Sequence, residues 1–142
     1  MTGYVVDASI AVKWVVTEQY SDEAASLLES DQRIVAPDLL FAEAANALWA
    51  LARRGDIKIN DVADALAVLI DAQIDTPYSM RQLTAAAARL AIDIDHPVYD
   101  CFYLALAVRE QCPVITADNR FHNKVAGHPY LSNQVVHISD IS

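Results

Sequence analysis

Tyr4-Val5-Val6-Asp7 is the stretch that most limits how this chain can fold. Three apolar or aromatic residues run without a break into one carboxylate, and the apolar pattern resumes in Ile10, Ala11, Val12, Trp14, Val15 and Val16. A run so short, β-branched and continuously apolar reads as a strand covered on both faces, as the central strands of a parallel sheet are. An ionised carboxylate in such surroundings is costly unless it is paired, hydrogen-bonded or bound to a cation. No basic residue lies near Asp7 before Lys13.

The rest of the chain repeats this grammar. Residues 9 to 16 predict a short helix with Ser9 near its N-cap. Residues 21 to 29 predict a second, capped by Ser21, with Asp22 and Glu23 in its first turn. Arg33 to Ala36 predicts a second strand, closed by Pro37. From Asp38 to Arg54 the pattern is a long helix with a wide stripe of Leu39, Leu40, Phe41, Ala44, Ala47, Leu48 and Leu51, stopped by Gly55. Asn60 to Gln73 predicts a helix with Val62, Leu66, Leu69 and Ile70 inward. Asp75 to Ser79 predicts a short third strand, against the objection of Pro77. Met80 to Ala91 is helical, and Pro97 opens the next helix, through Val108. Pro113 to Thr116 predicts a fourth strand with Asp118 just behind it, and Val135 to Ile138 a fifth.

Short apolar strands alternating with helices predict an α/β fold, a sandwich around a mostly parallel sheet. In such a sheet the functional crevice lies beyond the carboxyl ends of the strands, where both Asp7 and Asp118 fall. The 142 residues show no repeat or linker, so one domain over residues 1–142 is expected. Hydrophobic residues at 54% and charged residues at 20% exclude a disordered chain. A net charge of −9 excludes a generic polyanion binder with a basic face. No apolar run reaches the roughly 18 residues of a membrane span. The start of the chain lacks the basic segment of a signal peptide and carries an acid at position 7. Cys101 and Cys112 sit in or beside apolar segments without zinc spacing and read as buried, reduced thiols. A cytoplasmic setting is therefore expected, with no membrane partner.

Of the nineteen acids, most fall in first turns of helices, in turns or on polar faces, where solvation explains them. Four do not. Asp7 ends the first strand, Glu43 interrupts the apolar run of the long helix, Asp100 sits in the first turn of the most apolar helix, and Asp118 ends Val114-Ile115-Thr116-Ala117. Taken singly, Asp118 reads as a helix cap and Asp100 as an acid favoured by a helix N-terminus. Taken together and converging, they repel one another. With no Cys or His partner at hand, the matching counter-ion is a hard divalent cation, Mg²⁺ or Mn²⁺. Such a site predicts phosphodiester hydrolysis by a metal-activated water. Ser9 and Thr116 place hydroxyls within two residues of Asp7 and Asp118, as supporting groups or as an N-cap and a strand former. Asn46, one turn from Glu43, is placed to orient it or to link the helix to a loop. Lys13, Arg120 and Lys124 are the nearest bases in sequence, candidates for substrate-phosphate contacts or solvated surface charges. The four histidines form no metal set, and Trp14 and Trp49 read as core or as part of a partner interface.

In order along the chain stand Val5-Val6-Asp7-Ala8-Ser9, then Ala36-Pro37-Asp38-Leu39-Leu40-Phe41-Ala42-Glu43-Ala44-Ala45-Asn46-Ala47-Leu48, then Tyr99-Asp100-Cys101-Phe102-Tyr103-Leu104-Ala105-Leu106-Ala107, then Ile115-Thr116-Ala117-Asp118. This ordered set resembles the PIN-domain ribonucleases, and more narrowly the VapC-type toxins of bacterial and archaeal toxin–antitoxin pairs. The resemblance covers essentially the whole chain. It implies a three-layer α/β/α sandwich and a Mg²⁺- or Mn²⁺-dependent endoribonuclease, with Asp7, Glu43, Asp100 and Asp118 as catalytic metal ligands and Ser9 and Thr116 in support. It also implies a homodimer, held inactive by an antitoxin whose basic C-terminal segment suits an acidic toxin. Cys101 stands where a small residue such as Ala is common, which touches no chemistry. Two other readings compete. An aspartyl-phosphate phosphotransferase with Asp7 as nucleophile needs a second Asp two residues on, where Ser9 stands; a receiver domain needs a Lys after a late strand, where Asp118 stands. A non-catalytic interaction domain would use the acidic pocket only to bind a basic partner, and all four acids being intact argues against it.

Overall fold

The computed structural model describes residues 3–141. In chain order its elements are β1 (Gly3–Val6), α1 (Ala8–Lys13), α2 (Ser21–Glu29), β2 (Arg33–Val35), α3 (Leu39–Arg53), α4 (Ile59–Asp71), α5 (Met80–Ile94), α6 (Val98–Glu110), β3 (Val114–Thr116), α7 (Asn119–Ala126) and β4 (Val135–His137), then a 3-10 turn at Ile138–Asp140. The described strands form one four-stranded sheet in the order β2-β1-β3-β4, with every neighbouring pair parallel. Strand β1 is therefore internal, and Val5 is in register with Val35 on one side and Val114 on the other.

The pleat sends successive residues to opposite faces. Val5, Val35 and Val114 join one core with Leu40 and Leu48 of α3, Leu83 of α5 and Leu104 of α6. Val6, Ile34 and Ile115 join a second core with Ala24 and Leu27 of α2 and with Ile138. These two cores make the sandwich three layers deep. From Cys101 to Ala107 every residue of α6 is buried, the signature of a helix enclosed on all sides; it packs against both α5 and β1. Among the described residues, no helix is long and apolar enough to cross a membrane.

Several expectations need correction. Asp75 to Ser79 is not a strand: one parallel bridge joins Val35 to Asp75, with Ala36 N–H donating to Asp75 C=O and Asp75 N–H to Ile34 C=O, both at 2.9 Å. Pro77, lacking an N–H, cannot extend that ladder. Ser9 does not cap the first helix; Asp7 does. Nor does Ser21 cap α2, because its hydroxyl serves the preceding turn, accepting from Glu18 N–H at 2.9 Å and donating to Val16 C=O at 3.1 Å. The N-cap is instead Tyr20, with φ +67°. Ile70 faces solvent, at 66% exposure, since Leu69 takes the inward position of α4. Trp49 is 54% exposed, with the Arg53 guanidinium over its ring. Trp14 is half-buried, its indole N–H donating to Ala24 C=O at 2.8 Å. Helix α5 runs on to Ile94, because Ser79 and Gln82 form a capping box at its start and Asp95 ends it in the left-handed region. Gly55 does stop α3, at φ +82°, where a Cβ is strained.

Candidate active site

Two strand ends meet at the carboxyl rim of the sheet. Asp7 leaves β1 and caps α1, its Oδ1 accepting Ile10 N–H at 3.4 Å. Ser9 Oγ donates to Oδ1 at 2.5 Å, and Thr116 Oγ1, at the end of β3, donates to Oδ2. The same hydroxyls receive backbone groups from the other strand end: Ala117 N–H reaches Ser9 Oγ at 2.9 Å, and Asp118 N–H reaches Thr116 Oγ1 at 3.0 Å. Asp7 is thus fixed from both sides, and it is only 5% exposed. Burial pushes its carboxyl up to about 7; the Ser9 and Thr116 bonds act against that rise, and the charge of Asp100 adds to it.

Glu43, half-buried on α3, accepts a hydrogen bond from Tyr103 Oη at 2.6 Å on Oε1. Its carboxyl is also raised, first by burial, with the Tyr103 bond opposing and the charge of Asp100 adding. Asp100 opens α6, with its Oδ2 2.6 Å from His96 Nε2. A carboxylate oxygen there accepts from His96 in the tautomer that carries its N–H on Nε2. His96 is 8% exposed and stacked on Phe121 at 5.3 Å between ring centres. Asp118 caps α7, its Oδ1 accepting Arg120 N–H at 2.9 Å and Phe121 N–H at 3.2 Å. The capping reading of Asp118 is therefore correct as local structure.

Asp7, Glu43, Asp100 and Asp118 all line one cleft of about 740 Å³, together with Ser9 and Asn46. Thr116 lies beneath it, buried, behind Asp7. Of the three bases named from sequence, Lys13 lines the cleft. It is no solvated surface charge: its side chain is 8% exposed and its Nζ meets Glu18 Oε1 at 2.9 Å. Arg120 and Lys124 are exposed on α7 outside the lining, with Lys124 Nζ 3.9 Å from Asp95. Arg54 and Tyr99, not singled out from sequence, are in the lining, and Tyr99 is 62% exposed beside Asp100. Tyr103 and His96 also support cleft acids. The four-residue spacing of His96 and Asp100 is a legible helical signal; nothing local marks Tyr103, whose partner lies 60 residues away.

The donors suit a hard cation. All four side chains offer oxygen only, and mutual repulsion leaves negative charge unbalanced. Among the described residues, no three His, Cys, Asp or Glu side chains are gathered into a ready-made cage. Acids spaced around a cleft and pinned by other groups suit an ion that keeps part of its water, as Mg²⁺ does.

The description of the PIN domain matches residues 4–127. Ribonuclease VapC3 of Pyrobaculum aerophilum is 31% identical over 121 residues, which cover 84% of this chain and 92% of that protein. The fold is similar to that of VapC20 of Mycobacterium tuberculosis, a toxin that cleaves the sarcin–ricin loop, with TM-score 0.67 at 16% identity over 88% of this chain and 95% of that one. It is also similar to VapBC2 of Rickettsia felis bound to a DNA fragment from its promoter, with TM-score 0.64 at 13% identity over 94% and 97% of the two chains. A family match over most of the chain and a relative alike along nearly its whole length lead to one conclusion: this chain belongs to the PIN-domain family, among its VapC-type ribonucleases.

Proposed function

We propose that this chain is the toxin of a toxin–antitoxin pair, an endoribonuclease that hydrolyses RNA phosphodiester bonds with Mg²⁺ or Mn²⁺ held by Asp7, Glu43, Asp100 and Asp118. The observation that carries this reading is the convergence of those four acids, from four separate elements, on one cleft. A divalent cation there supplies the positive charge that activates a water and stabilises a phosphoryl oxygen. The chain's own groups do the positioning. Ser9 and Thr116 hold Asp7 by both oxygens. Lys13, once released from Glu18, offers an ammonium to a substrate phosphate. Tyr99 presents an exposed ring beside Asp100, on which an unstacked base can lie.

Water as the nucleophile fits the state of the alternatives. The Ser9 and Thr116 hydroxyls are donated to Asp7. Cys101 is buried, and burial together with the nearby charge of Asp100 pushes its thiol up to about 12, far from a reactive thiolate. Partners follow from the same surfaces. An antitoxin with a basic C-terminal segment complements a chain of net charge −9, and exposed Trp49, Ile59 and Ile70 support a homodimer. Sedimentation equilibrium should read twice the chain mass; a monomer rejects the dimer.

RNA cleavage with Mg²⁺ or Mn²⁺ tests the reading directly. Asp7→Asn and Asp100→Asn should each abolish cleavage and growth inhibition while the circular dichroism spectrum is retained, and EDTA should silence the wild type. Undiminished cleavage by the variants removes the chemistry from this cleft, and EDTA-resistant cleavage removes the metal.

A further inference from the structure

Tyr103 and His96 are polar groups placed where packing alone does not ask for them. Tyr103 is fully buried in α6 among apolar residues, where a phenylalanine would fill the same space. A buried hydroxyl is tolerated only with a partner, and its partner is Glu43 Oε1 at 2.6 Å. His96 is buried just ahead of α6, stacked on Phe121, and its partner is Asp100 Oδ2 at 2.6 Å. Each of the two buried polar groups is therefore spent on a different cleft acid. Asp7 already has its own fixed donors in Ser9 and Thr116, and Asp118 has the first N–H groups of α7.

We propose that Tyr103 and His96 are positioning residues, which hold Glu43 and Asp100 in the orientation that receives the divalent cation. The inference rests on the metal reading above. Its physical basis is repulsion. The charge of Asp100 acts on Glu43 and on Asp7 alike, so free carboxylates would turn away from one another in the absence of a cation. A donor fixed in the core removes that freedom and its entropy before the ion arrives. The rigid half of each bond is the buried ring. The half it aims is the acid in the cleft.

Tyr103→Phe removes one oxygen, His96→Leu removes the ring N–H, and His96→Gln keeps a donor. Mn²⁺ binding is read by the electron paramagnetic resonance signal of the free ion, without RNA. Tyr103→Phe and His96→Leu should each lose about tenfold or more in Mn²⁺ affinity, as losses of groups behind metal ligands do. In cleavage, kcat should fall while KM for RNA stays within about twofold, and His96→Gln should recover most of both quantities. The melting temperature of Tyr103→Phe should stay close to the wild-type value. Wild type that binds Mn²⁺ while folded Tyr103→Phe binds it equally well overturns this inference alone. Wild type that takes up no Mn²⁺ overturns the metal reading, and this inference with it. If His96→Leu does not fold, Tyr103→Phe decides.

Discussion

Asp7 is stabilised by geometry and destabilised by charge at once. Its hydrogen bonds keep it in place, but burial raises its carboxyl from 3.8 to about 7. In the unfolded chain it titrates near 3.8. Between those values the folded protein holds a proton that the unfolded chain has lost, so stability falls as pH rises through this window and stays lower above it. The full rise corresponds to roughly 4 kcal/mol. Cation-free Asp7→Asn should therefore melt higher than wild type at pH 8 and lose that advantage towards pH 4. A difference in melting temperature independent of pH would contradict this account of Asp7. Tyr99, beside Asp100, carries a different prediction. Base stacking on an aromatic ring contributes about 1–3 kcal/mol by alanine substitution, so Tyr99→Ala should raise KM for RNA accordingly with kcat little changed. An unchanged KM removes Tyr99 from substrate binding.

At the scale of elements, the site is a product of where strands and helices begin. Asp7 follows β1 directly and Asp118 follows β3 by two residues, and each caps the next helix. One residue thus closes a local structure and faces the cleft. The two tasks separate experimentally. Asp118→Asn keeps an N-cap oxygen and should melt near wild type, while Asp118→Ala should lose about 1 kcal/mol of stability with its cap. Both should lose cleavage, because both lose the charge. Cleavage that tracks stability instead of charge would make Asp118 a cap and nothing more. Helix α6 takes part differently: buried throughout its middle, it carries Asp100 into the cleft at one end and reaches Glu43 of α3 through Tyr103. Helix starts are harder to read locally than the strands. Ser9 and Ser21 looked like caps by residue type, but their hydroxyls were drawn to tertiary partners, Asp7 and the turn before α2. The Ser79 and Gln82 capping box, by contrast, is legible from its three-residue spacing.

For the whole molecule, the net charge of −9 works against RNA and in favour of a basic protein. The acids of the cleft sharpen that preference, since Lys13 there is already paired with Glu18. A Lys/Arg-rich peptide should bind the wild type, compete with Mn²⁺, and weaken steeply as salt rises, because screening shortens the reach of its charges. Fluorescence anisotropy at two ionic strengths measures this; binding that ignores salt would argue for an apolar contact instead. Three-layer packing makes the site possible at this chain length. Covering both faces of the sheet buries β1 and β3, and only their carboxyl ends are left to approach a cleft.

The sequence by itself determined the parallel sheet and most of the order of elements, Asp75 to Ser79 excepted, and it marks out four lone acids, because each of these is written locally. Continuous β-branched runs mark strands covered on both faces, and a lone carboxylate within an apolar run stands out wherever it falls. What it could not determine is which groups those acids meet. Thr116 reaches Asp7 across 109 positions and Tyr103 reaches Glu43 across 60, and no local pattern encodes a contact set by the core that α3 and α6 share and by β1 lying beside β3. For the same reason Lys13 is half-buried and paired, Ile70 exposed, and Arg54 and Tyr99 part of the cleft. Whether a side chain meets solvent or the site depends on what the tertiary structure lays over it, and that covering comes from distant chain.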